Sequence, residues 1–186
     1  AQLAYDEWLS LDLTARNDWS STLPKQNNSF FYPSASLSWV FSDFMRSIDH
    51  KLPSWITFAK LRVSAAQVGK DPAPYNLYNV RKYQFEMGNR KPINNTIKLN
   101  ANLKPEIKTS YEVGVDMKFL DNRLGFDFTY YYNTTKNQAM LVDASSPWTQ
   151  QWVNAGKINN TGVEFMLYGT PVKTRDFQFD ITATLA

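Results

Sequence analysis

The chain has no cysteine and one histidine, His50. The first absence removes disulfide frameworks, CxxC metal sites and thiol nucleophiles. The second removes His-dependent triads and multi-histidine metal centres. No glycine-rich phosphate loop occurs, and the 7 glycines are scattered. No apolar run exceeds a few residues, whereas a membrane-crossing helix needs about 20; with a mean hydropathy of −0.45, helical spans are excluded. Ala1-Gln2-Leu3 lacks the basic start and apolar stretch of a signal peptide. A net charge of +3 over 186 residues is far from the dense basic surface of a nucleic-acid binder, so no nucleic-acid partner is expected. The plentiful residues are rings, 12 Phe, 10 Tyr and 6 Trp, in a chain apolar enough (43%) to exclude wholesale disorder.

The dominant hydrophobic period is two. Tyr111, Val113, Val115, Met117 and Phe119 alternate with Ser110, Glu112, Gly114, Asp116 and Lys118. Asp121-Asn122 interrupts the pattern, which resumes as Leu124, Phe126, Phe128, Tyr130 and Tyr132 against Arg123, Gly125, Asp127, Thr129 and Tyr131. Phe177 to Leu185 repeats it, and so, less regularly, do Leu9–Ala15, Ala35–Phe41, Ile56–Ala65 and Gly162–Tyr168. Such alternation marks strands with one apolar face. A parity switch near Ala59-Lys60 predicts a bulge or a late strand start. The expectation is all-β: about seven antiparallel strands in an up-and-down meander, and no helix. The last strand stops in mid-pattern, so the chain is expected to be an internal piece, residues 1–186 forming one partial domain.

The connections alternate in length. Asp121-Asn122 and Lys173 to Asp176 are short, and Met45 to Pro53 is intermediate. Asn17 to Tyr32, Gly69 to Glu106 and Gln138 to Gln151 are long. Long structureless loops are uncommon and usually functional, and gathering them at one end is the pattern of outer-membrane barrels. A half-apolar strand fits either a soluble β-sandwich, with its greasy face on a second sheet, or a transmembrane barrel, with that face in lipid. Strands such as Lys108–Leu120 are longer than the 5–6 residues usual in globular proteins and match the 9–11 that cross a bilayer. Rings gather at strand ends (Trp19, Phe30-Phe31-Tyr32, Trp55, Tyr130-Tyr131-Tyr132), as in the girdles of membrane barrels. Seven strands make an arc roughly 30 Å wide. In lipid its open edges must pair with further strands of a larger closed wall.

The order of short motifs then resembles one family. Arg16-Asn17-Asp18-Trp19-Ser20-Ser21, Phe31-Tyr32-Pro33-Ser34-Ala35-Ser36-Leu37-Ser38-Trp39, Lys60-Leu61-Arg62-Val63-Ser64, Leu103-Lys104-Pro105-Glu106 with Tyr111-Glu112-Val113-Gly114-Val115-Asp116, and Asn154-Ala155-Gly156 through Asn160-Thr161-Gly162-Val163-Glu164 are similar to successive words of SusC/RagA-type TonB-dependent outer-membrane transporters. Ala65-Ala66-Gln67 departs from the family, which often has an aromatic and a glycine there. The resemblance implies a plugged transmembrane barrel of about 22 strands in a Gram-negative outer membrane, of which this chain holds about a third. The plug, the N-terminal region and the closing strands are missing. It also implies import of oligosaccharides or peptides, energised by TonB through the plug, beneath a SusD-like surface lipoprotein. No cofactor and no catalysis are implied. A secreted carbohydrate-binding sandwich and a passive porin stand as alternatives.

Two groups of candidate residues follow. The polar rows of the strands carry both signs of charge; Arg16, Arg62, Glu112, Asp116, Arg123 and Asp127 are expected to face the lumen and a plug. Glu112 and Glu164 could suggest the paired carboxylates of a glycosidase, but their alternating-strand setting favours ion pairing. His50, between Asp49 and Lys51, reads as a solvated turn residue. The segment from Lys70 to Glu106 holds seven basic residues, Arg81 among them, against three acidic ones. Its Tyr75 and Tyr78, with Trp148 and Trp152 of the next long loop, are the candidates for binding substrate or partner.

Overall fold

The computed structural model describes residues 1–50, 52–78, 82–93 and 95–186; Lys51 and Arg81, named above, lie outside these. In chain order the elements are β1 (Gln2–Tyr5), β2 (Leu9–Trp19), β3 (Ser29–Val40), α1 (Phe41–Ser47), β4 (Ile56–Lys70), β5 (Lys82–Glu86), β6 (Asn89–Ile93), β7 (Ile97–Lys98), β8 (Glu106–Phe119), β9 (Leu124–Lys136), β10 (Ala139–Asp143), β11 (Gln150–Asn154), β12 (Lys157–Lys173) and β13 (Gln178–Leu185). Eight of the strands form one antiparallel sheet, in the order β1-β2-β3-β4-β8-β9-β12-β13. Once the loop strands are set aside, this is an unbroken meander.

Register follows from the alternation. Leu37 lies opposite Val63, Leu61 opposite Val115, Val115 opposite Phe128, and Phe128 opposite Phe165. A one-residue slip in any pair would exchange the two faces, so the pattern that makes the strands also aligns them. The expected parity switch is present, placed slightly earlier: the ladder shifts between Ile56 and Phe58. The shift turns Phe58 to the polar face, where the Lys118 ammonium sits 5.2 Å from its ring centre.

Most of the apolar face has nothing packed over it in the described structure; Phe41 and Phe44 touch only its short-turn rim, at Trp39. Val113, Phe128, Val163, Phe165 and Ile181 are exposed there, and among the described residues the buried core side chains are Leu23, Ala59 and Leu103. The accessible surface is 13269 Å². A compact chain of 21.5 kDa would expose about 9,200 Å², so the excess is the two bare faces of one sheet. No second sheet covers Val115, Phe126 or Ile181 among the described residues, and the sandwich expectation is thereby set aside.

The apolar face has defined limits. Along β8 it runs from Tyr111 to Phe119 and along β9 from Tyr132 to Leu124, after which the same face turns polar: Gln67 with Thr109, Thr134 with Asn159, Asn17 with Ser29. Eight residue steps at about 3.3 Å, tilted by about 40°, give a band roughly 20 Å tall. The rings at strand ends divide by parity. Phe31, Tyr130 and Tyr132 lie on the apolar face, whereas Tyr131 lies on the polar face. Not all of them therefore belong to a girdle, because alternate residues of a strand cannot share a face.

Two expectations need correction. β1 adds an eighth strand, four residues long and joined to β2 through Asp6 and Glu7 in left-handed conformation. The strand expected to run on through Phe41 and Ser42 ends at Val40, and α1 follows. A helix of about two turns with a cap-free start is too short to show a clear period. It is held by rings: Phe44 lies 4.8 Å from Trp8 and 5.7 Å from Trp39, and Phe41 lies 5.3 Å from Trp39. Arg46 adds a bond to Asp43 one turn back, at 2.8 Å. With Trp55 against Phe119 at 5.7 Å, these rings form a belt at the short-turn end.

Candidate functional site

The polar face of the sheet carries one built charge cluster. Asp116 and Asp127 lie directly opposite each other on β8 and β9, where two carboxylates repel. Each has been given a partner. Arg62, reaching from β4 across β8, forms a two-pronged pair with Asp127 at 2.6 and 2.7 Å and donates to the Thr129 hydroxyl at 2.7 Å. Tyr168 on β12 donates to Asp116 at 3.3 Å.

Glycine makes both reaches possible. A Cβ at Gly114 would stand 2.4 Å from Arg62 Nε, and one at Gly125 would stand 2.4 Å from the Tyr168 ring. Arg62 therefore crosses β8 in the space that a side chain at position 114 would fill. Among the described residues, neither Glu112 nor Asp116 joins an ion pair, although Lys60 lies directly across from Asp116 and Lys118 shares the same face.

The long loops sit together at the other end of the strands from α1. Asn154 ties two of them: its amide donates to the carbonyls of Lys104 and Asn137, both at 2.8 Å, and its oxygen accepts from the Lys104 N–H at 2.8 Å. Thr149 N–H donates to the Thr96 carbonyl at 2.8 Å, and β7 pairs in parallel with β11, which pairs with β10. Asn27 reaches the Leu103 carbonyl at 3.1 Å, and Leu103 is fully buried. The Asp71 carboxylate accepts from Ser20 at 2.5 Å and Thr22 at 3.0 Å, and those hydroxyls hold its pKa below the usual carboxylate range. Segments that carry little apolar surface are thus fastened by polar side chains to one another's backbone.

Between these loops lies a cleft of about 890 Å³, within the range of small-molecule sites. One wall is a face of the three-stranded sheet: Leu141 and Trp152 are cross-strand partners, and Ile97 shares their side. The other wall is the turn carrying Tyr75 and Tyr78, with Thr22 below. Tyr75 has a φ of +68°, a left-handed conformation that is strained in a residue with a bulky side chain, and it is 91% exposed.

Of the four loop candidates, Tyr75, Tyr78 and Trp152 come together here, from segments about 75 residues apart. Trp148 does not; it is half-buried in the turn before β11, its N–H on the Ser145 carbonyl. Of the six polar-face candidates, Arg62, Asp116 and Asp127 meet, and Glu112 shares their face one alternation away. Arg16 is separate, near the long-loop rim, paired with Asp18 at 2.7 Å while Tyr32 also donates to Asp18. Arg123 is separate too, in the turn that ends at β9, where its carbonyl accepts from Thr170 at 2.7 Å. Sequence reasoning missed Tyr168, Thr129, Ile97 and Leu141. The available signal was a glycine on a polar row beside a large residue on the next strand, which is readable only once register is known.

The family model described as "TonB dependent receptor-like, beta-barrel" matches residues 1–186. The chain is 28% identical over 182 residues to TonB-dependent receptor SusC of Bacteroides thetaiotaomicron, covering 91% of this chain and 18% of that protein. It is 28% identical over 174 residues to TonB-dependent receptor P3 of Formosa agariphila, covering 88% and 17%. Among solved structures, the RagAB peptide importer in its closed-closed state superposes with a TM-score of 0.86 at 23% identity, over 98% of this chain and 20% of that one. The siderophore receptor PirA from Pseudomonas aeruginosa superposes with a TM-score of 0.60 at 18% identity, over 98% and 32%. The chain thus spans about a fifth of the length of the relatives it matches, and its open sheet is an arc of such a barrel.

Proposed function

Because this chain belongs to the TonB dependent receptor-like β-barrel family, we propose that it forms part of the wall of an outer-membrane importer. That family consists of transporters and receptors, not enzymes, and the reading has no reaction in it. The observation that carries it is the sheet itself. One face is a bare apolar band, the other bears the Arg62–Asp127 cluster, and both edges are open. Water-exposed sheets do not leave such a band uncovered, whereas hydrocarbon outside and a polar filling inside suit both faces.

In this reading Arg62, Glu112, Asp116 and Asp127 face a plug domain supplied by the rest of the protein, through which TonB acts. Arg16 and Arg123 face the same interior nearer its two rims. A SusD-like lipoprotein sits above the loops, whose mutual hydrogen bonds make a firm platform for it. The cargo is an oligosaccharide or a peptide, met first at Tyr75, Tyr78 and Trp152; Trp148 contributes to the surrounding surface.

The test is uptake by cells carrying the full-length protein, measured with labelled oligosaccharides and peptides before and after the proton gradient is collapsed. Uptake that stops with the gradient supports the importer. Uptake that continues unchanged would make the protein a passive porin.

A further inference from the structure

The apolar face of the sheet is not level. Across β8, β9 and β12 it rises into a ridge of rings: Phe119 lies 6.0 Å from Phe126, and Phe126 lies 6.0 Å from Phe165. Over β3 and β4 it sinks. The paired apolar positions of those two strands are Trp39 with Leu61, Leu37 with Val63, and Ala35 with Ala65, so the side chains shrink away from the short-turn end. The alanine pair lies between larger neighbours, Leu13 on β2 and Tyr111 on β8.

Two hollows in line result. The first, of about 350 Å³, is floored by Leu37, Leu61 and Val63 and walled by Trp8, Trp39 and Phe44. The second, of about 410 Å³, continues the same rows over Ala35 and Ala65 and stops at Gln67 and Thr109, where the face turns polar. The indole nitrogens of Trp8 and Trp39 are buried and lack a hydrogen-bond partner among the described residues, so it is ring carbon that these residues turn to the groove. From Trp39 to Ala35 the groove runs about 13 Å along the strand. At the usual tilt that is about 10 Å of depth, half the height of the apolar band.

What fills the groove follows from its place. It is continuous with the band that the importer reading puts in hydrocarbon, it starts at the ring belt of the short-turn rim, and it has the depth of one leaflet. Interfacial rings lie at headgroup level, so a lipid whose glycerol sits at Trp8 and Trp39 sends a chain inward along β3 and β4. A second copy of the protein fits less well. The outer wall of a barrel is convex, and two convex walls meet on their ridges, leaving the hollows without contact atoms. A flexible chain enters them and gains stability with each methylene buried. Long loops mark the outer side of such barrels, so the short-turn rim meets the periplasmic leaflet, whose lipids are glycerophospholipids.

We propose that the groove over Ala35 and Ala65, closed at one end by Trp8, Trp39 and Phe44, binds one acyl chain of a glycerophospholipid and keeps it when the surrounding lipid is removed. This rests on the reading of the sheet as a lipid-covered wall.

The experiment uses the full-length transporter purified in detergent, with retained lipids identified by native mass spectrometry. The parent protein is expected to carry a phospholipid. Ala65→Phe puts a ring in the groove and displaces several methylenes, so it is expected to weaken retention by about tenfold or more. Ala35→Phe fills the same hollow from β3 and should do the same, whereas Val163→Phe, on β12, should leave retention unchanged. Phosphatidylethanolamine with a diazirine in its chain, added back to the purified parent, is expected to label residues 33–39 and 61–65, which tests the site without any substitution. No retained phospholipid, lipopolysaccharide in its place, label confined to the β8–β12 ridge, cross-links joining two copies through Ala35 and Ala65, or indifference to both phenylalanines would each overturn the proposal. Lysine substitutions along β8 separate this from failure of the wall reading. A cost that peaks at Val115→Lys keeps hydrocarbon over the face even if the groove holds no lipid, and a flat profile removes the wall reading itself.

Discussion

A lysine carried along the apolar face of β8 reports what covers that face. The positions are Tyr111, Val113, Val115, Met117 and Phe119, all on one side of the strand. Successive members are about 6.6 Å apart along the chain, or about 5 Å apart in depth at the usual barrel tilt. If hydrocarbon lies outside, Val115 sits closest to the midplane. Val115→Lys is then expected to cost about 2–4 kcal/mol, and Tyr111→Lys and Phe119→Lys about 0–1 kcal/mol, because a lysine near an interface reaches headgroups and water. Val113→Lys and Met117→Lys fall between. The quantity to measure is the stability of the full-length protein folded into phospholipid vesicles, followed by tryptophan fluorescence against urea. A cost that peaks at Val115 and falls on both sides supports the band geometry. A flat profile, or one rising steadily toward either end, would refute the claim that lipid covers this face.

Further expectations concern the inner face and the loops. Gly125→Ala should destabilise by about 1–3 kcal/mol, since the added methyl meets the Tyr168 ring at 2.4 Å; in a Tyr168→Ala background the same change should be nearly neutral, and an undiminished cost there would disprove the contact. Arg62→Ala should cost more than the double change Arg62→Ala with Asp127→Asn, because the single change strands a carboxylate beside Asp116; equal costs in a double-mutant cycle would show the pair to be uncoupled. The Asp71 carboxyl is held below its ordinary pKa by Ser20 and Thr22, so its fastening of the loops is complete above about pH 4 and is lost as pH falls through the lowered value. Protease cleavage around residues 71–78 of the full-length protein should accordingly stay constant from neutral pH down to that point and rise below it, and Asp71→Ala should show the fast cleavage at every pH.

The polar-face cluster was partly legible before any coordinates. Arg62, Glu112, Asp116 and Asp127 all fall on polar rows of strict alternations, and alternation is local. What was not local is that Arg62 spans two strand spacings to reach Asp127, a contact between residues 65 apart that depends on Gly114. Arg123 shows the opposite case. The alternating pattern extends back to it, but the chain turns through three left-handed residues, Leu120, Asp121 and Asn122, and the strand begins one residue later. The short loop strands β5, β6, β7, β10 and β11 were invisible in sequence for a related reason. Two to five residues are too few to show a period, and the partner of β7 lies in another loop.

The positions of the long strands, the choice of polar and apolar rows, and the sorting of short and long connections to opposite ends are decided by the amino-acid sequence. Each depends on neighbours a few residues away and on a side-chain period of two. The tertiary structure alone decided which charges meet, which glycines a neighbouring side chain must cross, and that Tyr75, Tyr78 and Trp152 line one cleft. Those are pairings between distant segments, set by how the loops close on one another, and no local pattern encodes them.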